Sequence, residues 1–151
     1  MRGHFNANAQ SEIRPPWSKD ESLFTDLCSR CNACIEVCPE NIIIAGSGKF
    51  PVLDFEKGEC TFCHHCVDAC QYGAFDTKQK QPWHIKIAIK DDCLSKIGVV
   101  CRSCSEICNQ NVIKFRVQIG GVPNIQLDTN KCNGCGACIG ICPKNAITMK
   151  V

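Results

Sequence analysis

Cys28, Cys31, Cys34 and Cys38 are spaced C-x2-C-x2-C-x3-C, as are Cys60, Cys63, Cys66 and Cys70, and again Cys132, Cys135, Cys138 and Cys142. Cys93, Cys101, Cys104 and Cys108 keep the C-x2-C-x3-C end but open the first gap to seven residues. These four groups contain all sixteen cysteines of the 151-residue chain. Three thiolates two residues apart let one tight loop wrap a cubane of iron and sulfide, with backbone N–H groups turned toward its sulfides. Each group therefore furnishes the ligands of a [4Fe–4S] cluster. The expected complement is four [4Fe–4S] clusters, with every cysteine a ligand.

Two other uses of cysteine fit less well. A disulfide scaffold belongs to secreted chains, and residues 1–10 offer no apolar signal-peptide core. Structural zinc favours two C-x2-C pairs held well apart, whereas here a third cysteine follows after only two more residues. In two-cluster ferredoxins the fourth cysteine of a run ligates the other cluster, and a proline commonly follows it. Pro39 follows Cys38 and Pro143 follows Cys142, while Gln71 and Asn109 stand in the other two places.

The elements that must position these loops are small. With seven Phe, two Trp and one Tyr, the chain has little for a large core, so the clusters are expected to replace it and the apo chain to be largely unfolded. The formal charge is +2 with neutral thiols. Each oxidised four-thiolate cluster carries about −2, which would bring the loaded protein to about −6. No Lys/Arg run interrupts the cysteine groups, which argues against nucleic-acid binding. The longest apolar run, Ile42 to Ala45, is far short of the ~20 residues of a membrane span. A soluble protein of the reducing cytoplasm is expected.

Between groups one and two, residues 41–44 and 50–55 read as two strands joined by a glycine turn over 45–49. Residues 112–117 and 122–127, joined through Gly120 and Gly121, repeat the pattern. Residues 73–75 suit a short closing strand, 76–82 a polar turn, 84–90 an alternating strand and 146–149 a last strand. The fold class is thus α+β, with two tandem bacterial 2[4Fe–4S] ferredoxin-like modules over 21–80 and 81–151 behind an extended arm over 1–20. Crossed ligation then places Cys28, Cys31, Cys34 and Cys70 on one cluster and Cys60, Cys63, Cys66 and Cys38 on its neighbour. In the second module Cys93, Cys101, Cys104 and Cys142 hold one, and Cys132, Cys135, Cys138 and Cys108 the other. A nested arrangement, pairing group one with four and two with three, is the alternative.

Other residues have plainer readings. His64, His65, Arg30 and Arg102 lie inside ligand loops, where they could tune a cluster or meet a partner, though solvated surface positions suit them too. Residues 94–100, the insertion of group three, add apolar bulk that could shield one cluster, with a tolerated loop extension as the plainer reading. Trp17 and Trp83 suit packing. The segment Ile13-Arg14-Pro15-Pro16-Trp17-Ser18 has no part in the cysteine pattern; its prolines favour an extended arm anchored by the tryptophan.

That R-P-P-W-S segment, with the C-x7-C opening of group three, resembles the NapF family of four-cluster ferredoxin-type accessory proteins. The likeness runs from about Ile13 to the end. It implies a cytoplasmic protein that meets the catalytic, molybdenum-containing subunit of periplasmic nitrate reductase before export and assists its iron–sulfur maturation. Many relatives have a longer basic N-terminal stretch, whereas residues 1–11 here hold only Arg2. No nucleotide loop or spare cysteine suggests catalysis. The alternative function is an electron-transfer polyferredoxin.

Overall fold

Short apolar runs punctuated by cysteine loops can build only short elements, and short elements are what form. The computed structural model describes residues 12–116 and 121–150. Residues 1–11, most of the expected arm, lie outside it, as do Val117 and Gly120 of the second hairpin. Helix α1 (Glu21–Leu27) has seven residues. The others, α2 (Ala33–Glu36), α3 (His65–Asp68), α4 (Ser103–Glu106) and α5 (Ala137–Gly140), have four each and carry the third cysteine of their groups. A single turn does not hold itself together in water, so the packing of each against its loop must do so.

Strand β1 (Ile43–Ala45) pairs antiparallel with β2 (Pro51–Leu53), Ile43 opposite Leu53. The glycine turn between them is a 3-10 turn, Ser47–Lys49, in which Gly48 takes φ 60°. Strand β3 (Lys86–Ile89) does not pair with its neighbours in sequence. Instead β4 (Ile113–Arg116) and β5 (Asn124–Leu127) form the second hairpin, and β3 pairs with the last strand, β6 (Ile147–Lys150), Ile87 opposite Met149. The first half has a shorter counterpart: Ser18 bridges Phe75, flanked by the bonds Lys19 N–H to Ala74 O (3.1 Å) and Asp76 N–H to Trp17 O (2.7 Å). Each hairpin is further tied by a matching bond, Asp54 N–H to Ile42 O and Asp128 N–H to Val112 O.

The core is thin and interleaved with thiols: Phe24, Ile42, Val112 and Ile113 are fully enclosed, and Cys66, Cys104 and Cys138 are buried among their neighbours. Phe24 meets Phe75 edge to face at 5.9 Å. Among the described residues no helix is long and apolar enough to cross a membrane.

Arg14 pins the N-terminal segment to this core. Its guanidinium forks onto Glu21 (2.9 and 2.6 Å), donates to Pro51 O (3.2 Å), and lies over Phe24 and Phe50 at 5.4 and 5.3 Å. Arg14→Ala should destabilise the loaded protein by about 1–3 kcal/mol, mostly through the lost backbone bond and ring coverage. The Arg14 hydrogen bond holds the Glu21 carboxyl below its ordinary range. Because the folded value is depressed, that contribution is present above the unfolded carboxylate pKa and fades as pH falls through the folded one. It is small, since Glu21 is 61% exposed. Anaerobic urea midpoints at neutral pH, where the acid-labile sulfide is retained, check the assignment: the variant should unfold at lower urea than the parent, and an unchanged midpoint would refute it.

Candidate iron–sulfur centres

Thiols from different cysteine groups line common cavities. One cavity is lined by Cys28, Cys31 and Cys34 together with Cys70, from the second group. Another is lined by Cys60, Cys63 and Cys66 with Cys38, from the first. A third gathers Cys93, Cys101 and Cys104 with Cys142. The remaining thiols also meet, for the Cys138 sulfur feels the charges of Cys135, Cys132 and Cys108. Pro39 walls the second cavity and Pro143 the third, so the proline after a fourth cysteine borders the site its cysteine enters.

Backbone conformation explains how such short loops present three sulfurs inward. In groups one, two and four, the residues on either side of the second cysteine are left-handed. They are Arg30 and Asn32 (φ 59° and 66°), Phe62 and His64 (56° and 66°), and Gly134 and Gly136 (77° and 84°). Alternation of this kind turns successive N–H groups to one side and makes a concavity that holds an anion. The Ala33 N–H reaches the Cys31 sulfur and pulls that thiol below its ordinary range. Group three lacks the pattern: Arg102 has φ −135°, and Gly98 takes the turn at φ 89°.

A second repeat escapes a reading of cysteines alone. Three residues after each fourth cysteine stand Asn41, Gly73, Asn111 and Asn145, all left-handed at φ 53°, 68°, 51° and 48°. The three asparagines send their N–H back to Cys38, Cys108 and Cys142 carbonyls at 3.0–3.1 Å, turning the chain from cysteine loop into strand. Asn41 is thus a turn residue, and the strand expected from it starts at Ile43. The signal was present as C-x2-[N/G], the residue types that tolerate this conformation. Just beyond, Val112 N–H and Ala146 N–H donate to the Cys108 and Cys142 sulfurs at 3.5 and 3.3 Å.

The donor sets fit the cluster. All sixteen thiols are free. Burial pushes the Cys34, Cys60, Cys66 and Cys138 thiols up to about 12 and Cys104 up to about 11, with neighbouring thiolates adding to the effect for all of them. Several mutually repelling thiolates in one apolar cavity are costly unless a cation shares them, which is the condition under which ligand binding becomes folding energy. A [4Fe–4S] cluster, when bound, supplies reversible one-electron storage.

The two inner sites touch. Cys60 N–H donates to Cys135 O at 2.7 Å, joining a ligand loop of the first half to one of the second. Phe55 lies beside Gly136, and Trp83 packs edge-on to Phe55 and Phe62 at 6.3 and 5.6 Å while its indole N–H bonds Asn133 O at 2.8 Å. Within each half, Cys34 feels the charge of Cys66 and Cys138 that of Cys104.

Comparison with known proteins bears on these sites directly. A 4Fe-4S dicluster domain matches residues 27–75, and a 4Fe-4S binding domain matches residues 125–148. The ferredoxin-type protein NapF of Escherichia coli is 43% identical over 140 residues, covering 93% of this chain and 85% of that protein. NapF of Haemophilus influenzae is 47% identical over 137 residues, covering 91% and 78%. The chain belongs to the NapF family of ferredoxin-type proteins. The methylamine utilization ferredoxin-type protein MauM of Methylophilus methylotrophus is a more distant relative, 29% identical over 152 residues, covering 87% of this chain and 66% of MauM.

One expectation for this NapF-family chain needs correction. The R-P-P-W-S segment is not foreign to the cysteine sites: Pro15 is fully buried, Pro16 and Trp17 wall the cavity of Cys38, Cys60, Cys63 and Cys66, and the Trp17 ring stacks on His64 at 3.7 Å. Of the two readings of the insertion, the structure favours the plain loop extension over shielding. Only Leu94 lines the cavity, while Ile97, Val99 and Val100 face solvent, because the hydroxyl of buried Ser95 donates to Cys101 O and turns the rest of the loop outward. Of the other residues singled out in the ligand loops, His65 and Arg102 are exposed, and exposed Arg30 lies over Phe50 at 5.1 Å. Trp83 packs as expected, but at the junction between the halves.

Proposed function

We propose that this protein binds four [4Fe–4S] clusters in two tandem modules over 21–80 and 81–151. It uses them as a cytoplasmic accessory factor for the catalytic subunit of periplasmic nitrate reductase, assisting iron–sulfur insertion before export. The ligand sets are Cys28, Cys31, Cys34, Cys70; Cys60, Cys63, Cys66, Cys38; Cys93, Cys101, Cys104, Cys142; and Cys132, Cys135, Cys138, Cys108. The gathering of Cys70 with group one and Cys142 with group three supports tandem pairing over nesting. The partner follows from kinship with the NapF proteins.

One observation carries the accessory role: Cys31 and Cys63 are exposed, and the loops holding them rest on a thin core. Ligands at the surface let a competing protein reach a cluster, as delivery requires. The chain's own part is to hold each quartet of sulfurs, dock a partner and exclude water on the buried side. Incubating reconstituted holo-protein with cluster-free catalytic subunit, without free iron or sulfide, should move iron and sulfide together to the subunit. Retention of all iron by the donor would refute delivery.

A second reading has its own support. The bond between Cys60 and Cys135 keeps the inner loops together, as an electron-transfer polyferredoxin would require. A carrier must keep what a donor releases, so the same assay separates the two.

A further inference from the structure

The two halves differ in charge. Before any cluster is bound, residues 81–150 carry nine Lys and Arg against four Asp and Glu, a net of +5, and residues 12–80 seven against eleven, a net of −4. Two clusters of about −2 in each half would leave the second half about neutral and the first strongly acidic. On the second half stands a rigid apolar projection built from the insertion of group three. Lys96 and Ile97 N–H bond Cys93 O at 2.9 and 3.1 Å, Val99 N–H bonds Leu94 O at 2.9 Å, and Gly98 closes the turn at φ 89°. So held, the loop leaves Ile97, Val99 and Val100 exposed by 57%, 48% and 85%. Val122 of the second hairpin, 42% exposed, lies against Gly98 and continues the surface.

Single exposed aliphatic residues are ordinary, but three branched ones on a fixed loop, continued by Val122 of the hairpin, leave much of their apolar surface in solvent. Lys96 lies within the loop and Arg102 just after it, and Lys144 walls the cavity that Leu94 and Cys101 also line. Lys96 is paired with Asp91, and among the described residues Arg102 and Lys144 have no ion-pair partner. An apolar centre with a charged rim is the anatomy of an interface, and a loop already ordered loses little freedom on binding.

We propose that Ile97, Val99, Val100 and Val122 form a docking knuckle for a partner protein that presents an apolar socket rimmed by carboxylates, beside the site of Cys93, Cys101, Cys104 and Cys142. The surface is read from geometry and charge; its assignment to the nitrate reductase catalytic subunit rests on the function proposed above. Val100 supplies the most apolar area, so it is the anchor. Arg102 and Lys144 speed the encounter and make it sensitive to salt.

The test places a photo-crosslinking amino acid at position 100 of the full chain in cells that make the reductase, with position 23 on the acidic half as control. The expected result is an adduct with the catalytic subunit from position 100 and none from position 23. Purified holo-protein carrying Val100→Ser or Ile97→Ser should bind the cluster-free subunit about tenfold or more weakly, with iron content unchanged, and binding of the parent should weaken as salt rises. An adduct with a different protein, whose purified form shows the same tenfold loss and salt dependence, keeps the knuckle and removes the partner assignment. No adduct from position 100, or full affinity in both serine variants, overturns the knuckle itself.

Discussion

Gly136→Val is expected to pry the two halves apart and to empty the cysteine set beside it. Gly136 takes φ 84°, and a Cβ there would lie 2.0 Å from Cδ1 and 2.5 Å from Cε1 of the Phe55 ring. A branched side chain is strained in that conformation, at about 1–3 kcal/mol, before any clash is counted. The ring has little room to retreat: Phe55 is buried and edge-packed on Trp83, which is tied to Asn133. Overpacking adds about 1–3 kcal/mol, and moving the loop would break the Cys60 to Cys135 bond. The variant should lose at least about 3 kcal/mol by urea unfolding and about four irons on desalting. Gly73→Val is the matched control, because Gly73 has φ 68° but nothing within 4 Å of its added carbon. If both variants behave alike, backbone strain explains the loss and the junction does not.

Cys70→Ala should cost the cluster of the first cysteine group rather than that of its own. Cys70 lines the cavity of Cys28, Cys31 and Cys34, while Cys38 lines that of Cys60, Cys63 and Cys66. Each single variant is expected to lose about four irons. Double variants identify which, because changes on one cluster do not add and changes on two do. Cys70→Ala with Cys31→Ala should lose no more than either alone, whereas Cys70→Ala with Cys63→Ala should lose about eight. The reverse pattern would mean that each run ligates its own cluster.

Much of this was legible because thiol spacing is a local code. The four cysteine groups and both hairpins follow from residue types a few positions apart, and the hairpins form with β-branched strands around Gly48 and ahead of Gly121. What failed involved long-range approach. Nothing local says that Ser18 would bridge Phe75 or that Trp17 would wall the cavity of Cys60. Gly136 reads as an ordinary loop residue until Phe55, far off in sequence, is laid against it. The insertion stayed open between shielding and plain extension, because apolar composition alone does not show that Ser95 is held on Cys101 O while Ile97, Val99 and Val100 face solvent. The asparagines after the fourth cysteines were readable from their fourfold recurrence with Gly73, which periodicity in strands and helices does not capture.

The central claim, four cubane clusters on four complete thiol sets, is tested most directly by counting. Anaerobically reconstituted full-length protein should contain about sixteen irons and about sixteen acid-labile sulfides per chain, with Mössbauer spectra of [4Fe–4S] centres alone. About eight of each would halve the assignment and leave two sets unused, and zinc without labile sulfide would contradict it outright.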